Sequence, residues 1–454
     1  MKIKSIHNLR GRIASLIVLM GLLFIASQIK ADQWGDWTYT TDGSNVTITG
    51  YARTKGDVVV PDVISNMPVV AIGDYAFEAD VNLTNVAISS SITSIGIYSF
   101  LDCLELTNIT TPDSITSIGE GAFQSCHKLK IAPIGRCVSS IGDTAFYYCT
   151  SLTSVTLSNS LNSIGRSSFF GCLNLTNVTI ACSVTNIGSN PFGYCVRLPA
   201  IEVDEGNPAF KSMDGVLYDK NMTTLIQYPG NKLGAVVIPN TITNIRDGAF
   251  CGSLSLTNIT IPESVIDIGQ MAFSSCPSCT GIYFNGSSPR IGPIPFTHTD
   301  NATVYFYPWT SGWTDTYGGR PTQVNPAYSQ WLLDYSFATN MTEDSTDYDH
   351  DGMLNWQEYL SGTNPTNASD KLAIISMGGT NGSLISWQAK SNVSYQVMRS
   401  LNLLGGVAAW SNASSGIGSN QQSYQTAPAD GLLQYADPNV AEMTNAFYRV
   451  IVVQ

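Results

Sequence analysis

Along the middle of the chain, apolar residues alternate with Ser, Thr and Asn in a fixed rhythm, and each unit of it carries two apolar segments. The first reads Leu-x-x-Val/Ile-x-Ile/Leu, as in Leu83-Val86-Ile88, Leu152-Val155-Leu157, Leu175-Val178-Ile180 and Leu256-Ile259-Ile261. The second reads Val/Ile-x-x-Ile-Gly, as in Val184-Thr185-Asn186-Ile187-Gly188. The Val-x-Ile alternation predicts a short strand with two side chains on its inner face. A phenylalanine then recurs every 23 residues: Phe77, Phe100, Phe123, Phe146, Phe169 and Phe192, and again Phe250, Phe273 and Phe296. An Ile-Gly step precedes it at Ile72, Ile95, Ile118, Ile141, Ile164, Ile187, Ile268 and Ile291; Ile245-Arg246 breaks the pair. Self-similarity at one short period predicts stacked coils, each burying its apolar face against its neighbours. Gly after Ile is expected to allow a tight bend, and Phe to fill the coil interior. The fold class is mainly β, a solenoid of short strands and turns.

The stretch Ser117-Ile118-Gly119-Glu120-Gly121-Ala122-Phe123-Gln124-Ser125-Cys126, with Leu129, carries the unit in full. This spacing resembles the leucine-rich repeat, and its 23-residue form resembles the BspA-type (Treponema-type) family over roughly residues 50 to 325. The resemblance implies a leucine-rich repeat array on an exported, non-catalytic surface protein that binds protein or matrix partners. Solenoids present long surfaces and seldom a buried cleft.

Between Phe192 and Phe250 the spacing lengthens. Asn207-Pro208-Ala209-Phe210 through Tyr218, and Ile226-Gln227-Tyr228-Pro229, look like a longer variant unit. Its two extra apolar strands suggest a protruding hairpin; a tolerated insertion in a surface turn reads equally well.

Ten cysteines in an exported chain invite a disulfide framework. Yet Cys103, Cys126, Cys149, Cys172, Cys195 and Cys276 each lie three residues after the repeat Phe and so form one column. Stacked columns hold identical side chains ~5 Å apart, pointing the same way. The thiols are therefore expected to pack unbridged. Cys276-Pro277-Ser278-Cys279 mimics a redox or zinc motif, but its cysteines fall in the thiol and leucine columns. Cys137 and Cys182 lie nearly two repeats apart, too far for an unstrained bridge.

On the strands, Ala87, Thr110, Thr156, Thr179, Glu202 and Thr260 are expected to face outward, often with Asn two positions earlier. This face is polar and poor in aromatics; Tyr283 is the single ring expected on it. It names no hot spot.

The chain opens with Lys2, Lys4, Arg10 and Arg12, followed by an apolar run from Ile13 to Ala26. At ~14 residues this run is short of the ~20 of a spanning helix. It reads as a signal peptide, residues 1–31, cleaved after Ala31. No later stretch approaches membrane length. Removing it takes five basic and no acidic residues, moving the net charge from −12 to about −17. Such a surface repels phosphate backbones, which argues against nucleic acid as a partner.

A separate chemistry follows the repeats. Asp347-Tyr348-Asp349-His350-Asp351-Gly352-Met353-Leu354-Asn355-Trp356-Gln357-Glu358 fits a twelve-residue calcium loop. Asp347, Asp349 and Asp351 alternate so that their oxygens converge. Gly352 permits the sharp turn, Met353 offers its carbonyl, Asn355 sits where water often bridges, and Glu358 can bind bidentately. The continuation Glu358-Tyr359-Leu360-Ser361-Gly362-Thr363-Asn364-Pro365 resembles calcium-binding segments related to thrombospondin type-3 and dockerin loops. Being single, the loop reads as a Ca2+ clamp between domains rather than a sensor. Trp331, Leu332 and Tyr335 predict a packing helix over 329–338.

From Lys371, short β-runs at Leu372–Ser376, Leu384–Gln388, Tyr395–Arg399 and Phe447–Val453 predict a small β-sandwich, with Trp387 and Trp410 in its core. The expected domains are the signal peptide, an N-terminal β cap (32–70), the solenoid (71–325), a helix plus calcium loop (326–370) and the terminal module (371–454).

No Gly-x-Ser-x-Gly, His-Glu-x-x-His or phosphate loop occurs, and no catalytic or organic-cofactor residue is assigned. His127 adjoins Cys126, but sequence neighbours on a turn point apart. The reading is a secreted or surface-associated recognition protein with an extracellular protein or matrix partner. The competing reading is a glycan-binding or glycan-processing accessory protein that uses the C-terminal module.

Overall fold

The computed structural model describes residues 31–52, 55–339 and 346–372, and beyond them 374–378, 384–390, 394–400, 411–412, 424–426, 431–436 and 447–453. The expected signal peptide lies outside the described residues apart from Ala31. The chain forms two compact units: one runs to Lys232 and includes Arg246–Leu254, the other holds Leu233–Ile245 and everything from Ser255 on. Both are built from turns of a leucine-rich-repeat β-solenoid.

In the first unit, strands Asp32–Trp34, Trp37–Thr41 and Val46–Tyr51 pair antiparallel. Val46–Tyr51 then pairs parallel with Met67–Ile72, which opens a ladder of two-residue strands. Ser94–Ile95, Ser117–Ile118, Ser140–Ile141, Ser163–Ile164 and Asn186–Ile187 follow in register, one per turn. A second parallel ladder runs through Asp57–Val59, Asn85–Ala87 and Asn108–Thr110, and a further one through Ser154–Val155, Asn177–Ile180 and Glu202–Val203.

Between the ladders the phenylalanines stack. Phe77 and Phe100 lie 4.8 Å apart at 7°, and Phe146 and Phe169 lie 5.2 Å apart at 6°. All are buried. Such offset pairs add to their area burial.

The glycine after Ile has a different role from the one expected. The left-handed glycines include none of Gly96, Gly119, Gly142, Gly165 and Gly188, so no special bend is made there. The constraint comes from the next turn: a Cβ on Gly119 would stand 2.6 Å from the carbonyl carbon of Gly96. The backbones of successive turns touch at this column, and a side chain there would wedge them apart.

The longer variant unit is not a protruding hairpin. Phe210–Met213 and Val216–Asp219 pair antiparallel, and Thr224–Gln227 joins the same sheet. Val216, Leu217, Tyr218, Leu225 and Ile226 are all buried. Asn207 fastens the entry: its amide donates to the carbonyls of Ala181 (2.8 Å) and Val184 (2.9 Å) and accepts from the N–H groups of Ala209 and Phe210. Buried Tyr228 stacks on Phe250 at 4.9 Å, supplying the ring that the 23-residue rhythm omits here.

The second unit carries the parallel sheet Gly234–Val237, Leu256–Ile261, Gly281–Phe284, Thr303–Phe306 and Arg320–Val324. Opposite it, Asn244–Ile245, Asp267–Ile268 and Arg290–Ile291 form the short ladder. Helix α1, Pro326–Asp334, begins before the expected 329 and ends before 338. The Asn325 side chain caps it by accepting from the Ala327 N–H at 3.0 Å, and Pro326 suits the first turn. Helix α2 spans Asn355–Ser361 and closes on left-handed Gly362. Beyond it, Ile374–Gly378, Leu384–Ala389 and Gly431–Ala436 form one antiparallel sheet. Ser394–Ser400, Ser411–Asn412, Tyr424–Thr426 and Phe447–Val453 form another. Trp387 is fully buried against Tyr395, and Trp410 lies outside the described residues. Among the described residues, no helix is long and apolar enough to cross a membrane.

Candidate metal centre and outward strand face

The acidic loop is shaped by its own backbone. His350 and Gly352 adopt positive φ, at 63° and 96°, and fold the chain back on Asp347. The Asp347 carboxylate accepts from the N–H groups of Asp351 (3.2 Å) and Gly352 (2.9 Å), and Asp351 accepts from Met353 N–H at 2.7 Å. Asp347, Asp349 and Asp351 thereby bring one carboxylate oxygen each to within 4.8 Å of one another.

Glu358 enters from the first turns of α2. It is fully buried, and neither of its oxygens has a hydrogen-bond partner; the same holds for the Oδ2 atoms of Asp349 and Asp351. Burial, then repulsion by Asp349, Asp351, Asp347 and Asp370, pushes its carboxyl from 4.5 up to about 8. A buried carboxylate without a partner is costly unless protonated or matched by a cation. Asn355 is buried at the start of α2, where its N–H donates to the Thr346 carbonyl at 2.8 Å. Met353 lies on the loop, with its thioether 3.3 Å from the Leu372 N–H. The structure thus gathers the carboxylates of Asp347, Asp349 and Asp351, and carboxylate oxygens are hard donors of the kind divalent calcium takes.

The loop is tied on both flanks. Trp356 of α2 stacks on Trp309 at 5.3 Å, and Tyr359 packs edge-on against Tyr328 of α1 at 5.0 Å. Burial, and then the adjacent Tyr359 phenol, push the Tyr307 phenol up. On the other side, the Lys371 ammonium donates to the Asp351 carbonyl at 3.2 Å, and Lys390 pairs with Asp370 at 2.7 Å. The helical spacing of Trp331 and Tyr335 gave sight of α1 alone. The rings of Tyr307, Trp309, Trp356 and Tyr359 escaped that reading, though the density of aromatics between 305 and 359 was a signal for them.

The strand faces behave as their alternation implies. In Asn108–Thr110, Ile109 is buried while Asn108 and Thr110 face solvent, and Asn177–Ile180 repeats the arrangement. Beside them, the Thr107 hydroxyl donates to the Thr84 carbonyl (3.0 Å) and that of Thr176 to Thr153 (3.2 Å), stitching turn to turn.

These repeats have a known sequence relationship. Residues 70–199 and 227–310 match the BspA type leucine rich repeat region, in six copies. The gap between the two stretches falls on the variant unit fastened by Asn207. Among solved structures, the chain is similar to a leucine rich cell surface protein from Faecalibacterium prausnitzii, with 24% identity over 68% of this chain and 98% of that one, and a TM-score of 0.49. It is also similar to the pneumococcal vaccine antigen PcpA (20% identity, 61% of this chain and 82% of that one, TM-score 0.49). A leucine-rich repeat protein from Eubacterium ventriosum shows 25% identity over 61% and 77% of the two chains, with a TM-score of 0.43. No curated protein matches the sequence.

No part of the repeats assembles the Cys-His pair that adjacency in sequence raised. Cys126 is buried in its column, whereas His127 is exposed, its Nδ1 2.9 Å from the Tyr148 carbonyl.

Proposed function

We propose that this chain is an exported bacterial surface or secreted protein, non-catalytic, that holds an extracellular protein or matrix partner on the outward faces of its repeats. The observation that carries this reading is the repeated outward face itself: polar residues at fixed spacing on strands locked turn to turn, in segments that match the BspA type repeat. Such an array suits broad contact rather than enclosure of a small substrate. The glycan-accessory reading gains nothing from Trp387, whose ring is buried.

The acidic loop is proposed as a Ca2+ site held by Asp347, Asp349, Asp351, the Met353 carbonyl, Asn355 and Glu358. The fit rests on the buried, partnerless oxygens of Glu358, Asp349 and Asp351. Bound cation would supply the positive charge that these carboxylates lack. The chain's own residues do the rest: Gly352 and His350 turn the loop, and α2 carries Glu358 while anchoring Trp356 and Tyr359.

The test is binding of the mature chain, starting at Asp32, to a panel of purified extracellular-matrix proteins, with and without calcium. Saturable binding to at least one is expected. Absence of saturable binding across the panel, together with turnover of any polysaccharide or peptide substrate, overturns the reading.

A further inference from the structure

On the sheet of the second unit, Ile282 and Phe284 are buried and Tyr283 between them points outward; one strand on, Val304 is buried and Tyr305 points outward. The two tyrosines are register partners. Their rings lie 4.8 Å apart at 18°, each partly exposed. Gly281 sets their pose. A Cβ there would come within 2.5 Å of Cε2 and 2.9 Å of Cζ of Tyr283, so the ring folds down over the bare glycine backbone. Sequence reading placed Tyr283 on this face alone; Tyr305 lies outside the matched Leu-x-x-Val/Ile pattern and joins it only through register.

The surroundings of the pair carry no ionised side chain along either rank. One rank runs Asn258, Gly281, Thr303, and the other Val237, Thr260, Tyr283, Tyr305, Gln323. The Thr280 hydroxyl lies 3.3 Å from Asn258 Oδ1. In a chain of net charge −12, this is a neutral window of two rings bordered by amides and hydroxyls.

We propose that the Tyr283–Tyr305 pair is a binding platform for a neutral polysaccharide. The charge balance favours this occupant. An anionic ligand meets a net negative protein, and a cationic peptide finds no carboxylate on these ranks to pair with. A neutral sugar ring offers polarised C–H groups to the negative face of an aromatic ring, and its hydroxyls match the amides and hydroxyls of Asn258, Gln323, Thr260 and Thr303. The platform concerns a ligand class that the protein-recognition reading does not name, and it stands or falls separately.

The experiment is affinity electrophoresis of the mature chain in native gels containing dextran, a soluble β-glucan or a galactomannan. Slower migration in at least one gel is expected. Tyr283→Ala and Tyr305→Ala should each weaken the effect roughly tenfold, in line with the loss of a stacking contact. Tyr283→Phe and Tyr75→Ala, the latter on the other unit, should leave it in place. If neither alanine variant folds, Thr260→Arg, which covers the Tyr283 ring from the neighbouring strand, should abolish the slowing. Unhindered migration in all three gels overturns the proposal. So does equal slowing of the folded alanine variants, or retention only by a basic peptide in a salt-sensitive manner. A chain that binds a matrix protein yet runs freely through every polysaccharide gel keeps the recognition reading and loses this one.

Discussion

The Cys149 thiol donates to the carbonyl oxygen of Phe123, one turn earlier, at 3.1 Å. Cys103, Cys126, Cys172 and Cys195 each do the same to the Phe one turn before. In the second unit the Thr299 hydroxyl takes this place, bonding to the Phe273 carbonyl at 2.5 Å. At these turns the column therefore asks for a small donor rather than for sulfur, and each such donor satisfies a buried carbonyl.

Substitution should separate these two roles. Cys149→Ser keeps the donor and is expected to cost little. Cys149→Val fills the space but orphans the Phe123 carbonyl, with a loss of about 1–3 kcal/mol. Urea melts compare them; equal stability of the two variants would show that packing alone sets the column.

Thiol accessibility gives a second check. None of the ten cysteines, all among the described residues, is in a disulfide, and only Cys137 and Cys182 are exposed. Burial holds the Cys126 and Cys172 thiols well above their ordinary range. A thiol reagent should label Cys137 and Cys182 rapidly in native protein and the remainder only after unfolding, as read by mass spectrometry. A column bridge in the non-reduced protein would contradict the ladder.

The aromatic stack should dominate stability. Phe169 lies between Phe146 at 5.2 Å and Phe192 at 5.6 Å, with no exposed surface. Phe169→Ala is expected to cost about 3–5 kcal/mol in denaturant melts. A cost below about 1 kcal/mol would mean the column does not hold the coil.

The glycine column makes a sharper contrast. Gly119→Ala forces a Cβ against the Gly96 carbonyl, whereas Gly206→Ala meets nothing closer than the Cys182 Cβ at 4.0 Å. The first should lower the melting temperature by several degrees, and the second should leave it nearly unchanged.

Calcium and pH should act on the acidic loop in opposition. Glu358 titrates at about 8 in the folded chain against 4.5 for the ordinary group. Because the folded value is raised, the stability tied to its proton is fully present below about 4.5 and is lost as pH rises through about 8. Metal-free protein should therefore melt lower at pH 8 than at pH 5. Millimolar calcium should restore the loss at pH 8 and protect Asp347–Glu358 from proteolysis. Glu358→Gln should flatten the pH dependence and remove the calcium response. Calorimetry without binding at millimolar calcium would leave the loop as a solvated acidic turn.

Much of this architecture was legible because period and packing coincide. Phe77 through Phe296 announce the core directly, since each buries the same ring in the same place. Relations between successive turns were harder to read. The contact that excludes a side chain at Gly119, the thiol bond to Phe123 and the pairing of Tyr283 with Tyr305 arise only once turns are stacked in register. The variant unit was misjudged for a related reason: Val216–Tyr218 reads as a run of apolar residues, and sequence alone does not say that both faces are covered. In the acidic loop the alternating aspartates were plain. The burial of Glu358 depends on α2 being seated by Trp356 and Tyr359, which no local pattern records.

The variant unit also bears on how the chain finds its alignment. Turns that carry the same Phe, Cys and Ile-Gly at the same places are nearly interchangeable partners, so a strand could dock one whole turn out of step and still meet matching side chains. Asn207 breaks that equivalence by binding the carbonyls of Ala181 and Val184 from within the variant unit, and Tyr228 does so by stacking on Phe250 out of the 23-residue rhythm. An array of equal rungs thus contains one rung that fits a single address, and it keeps count for the rest.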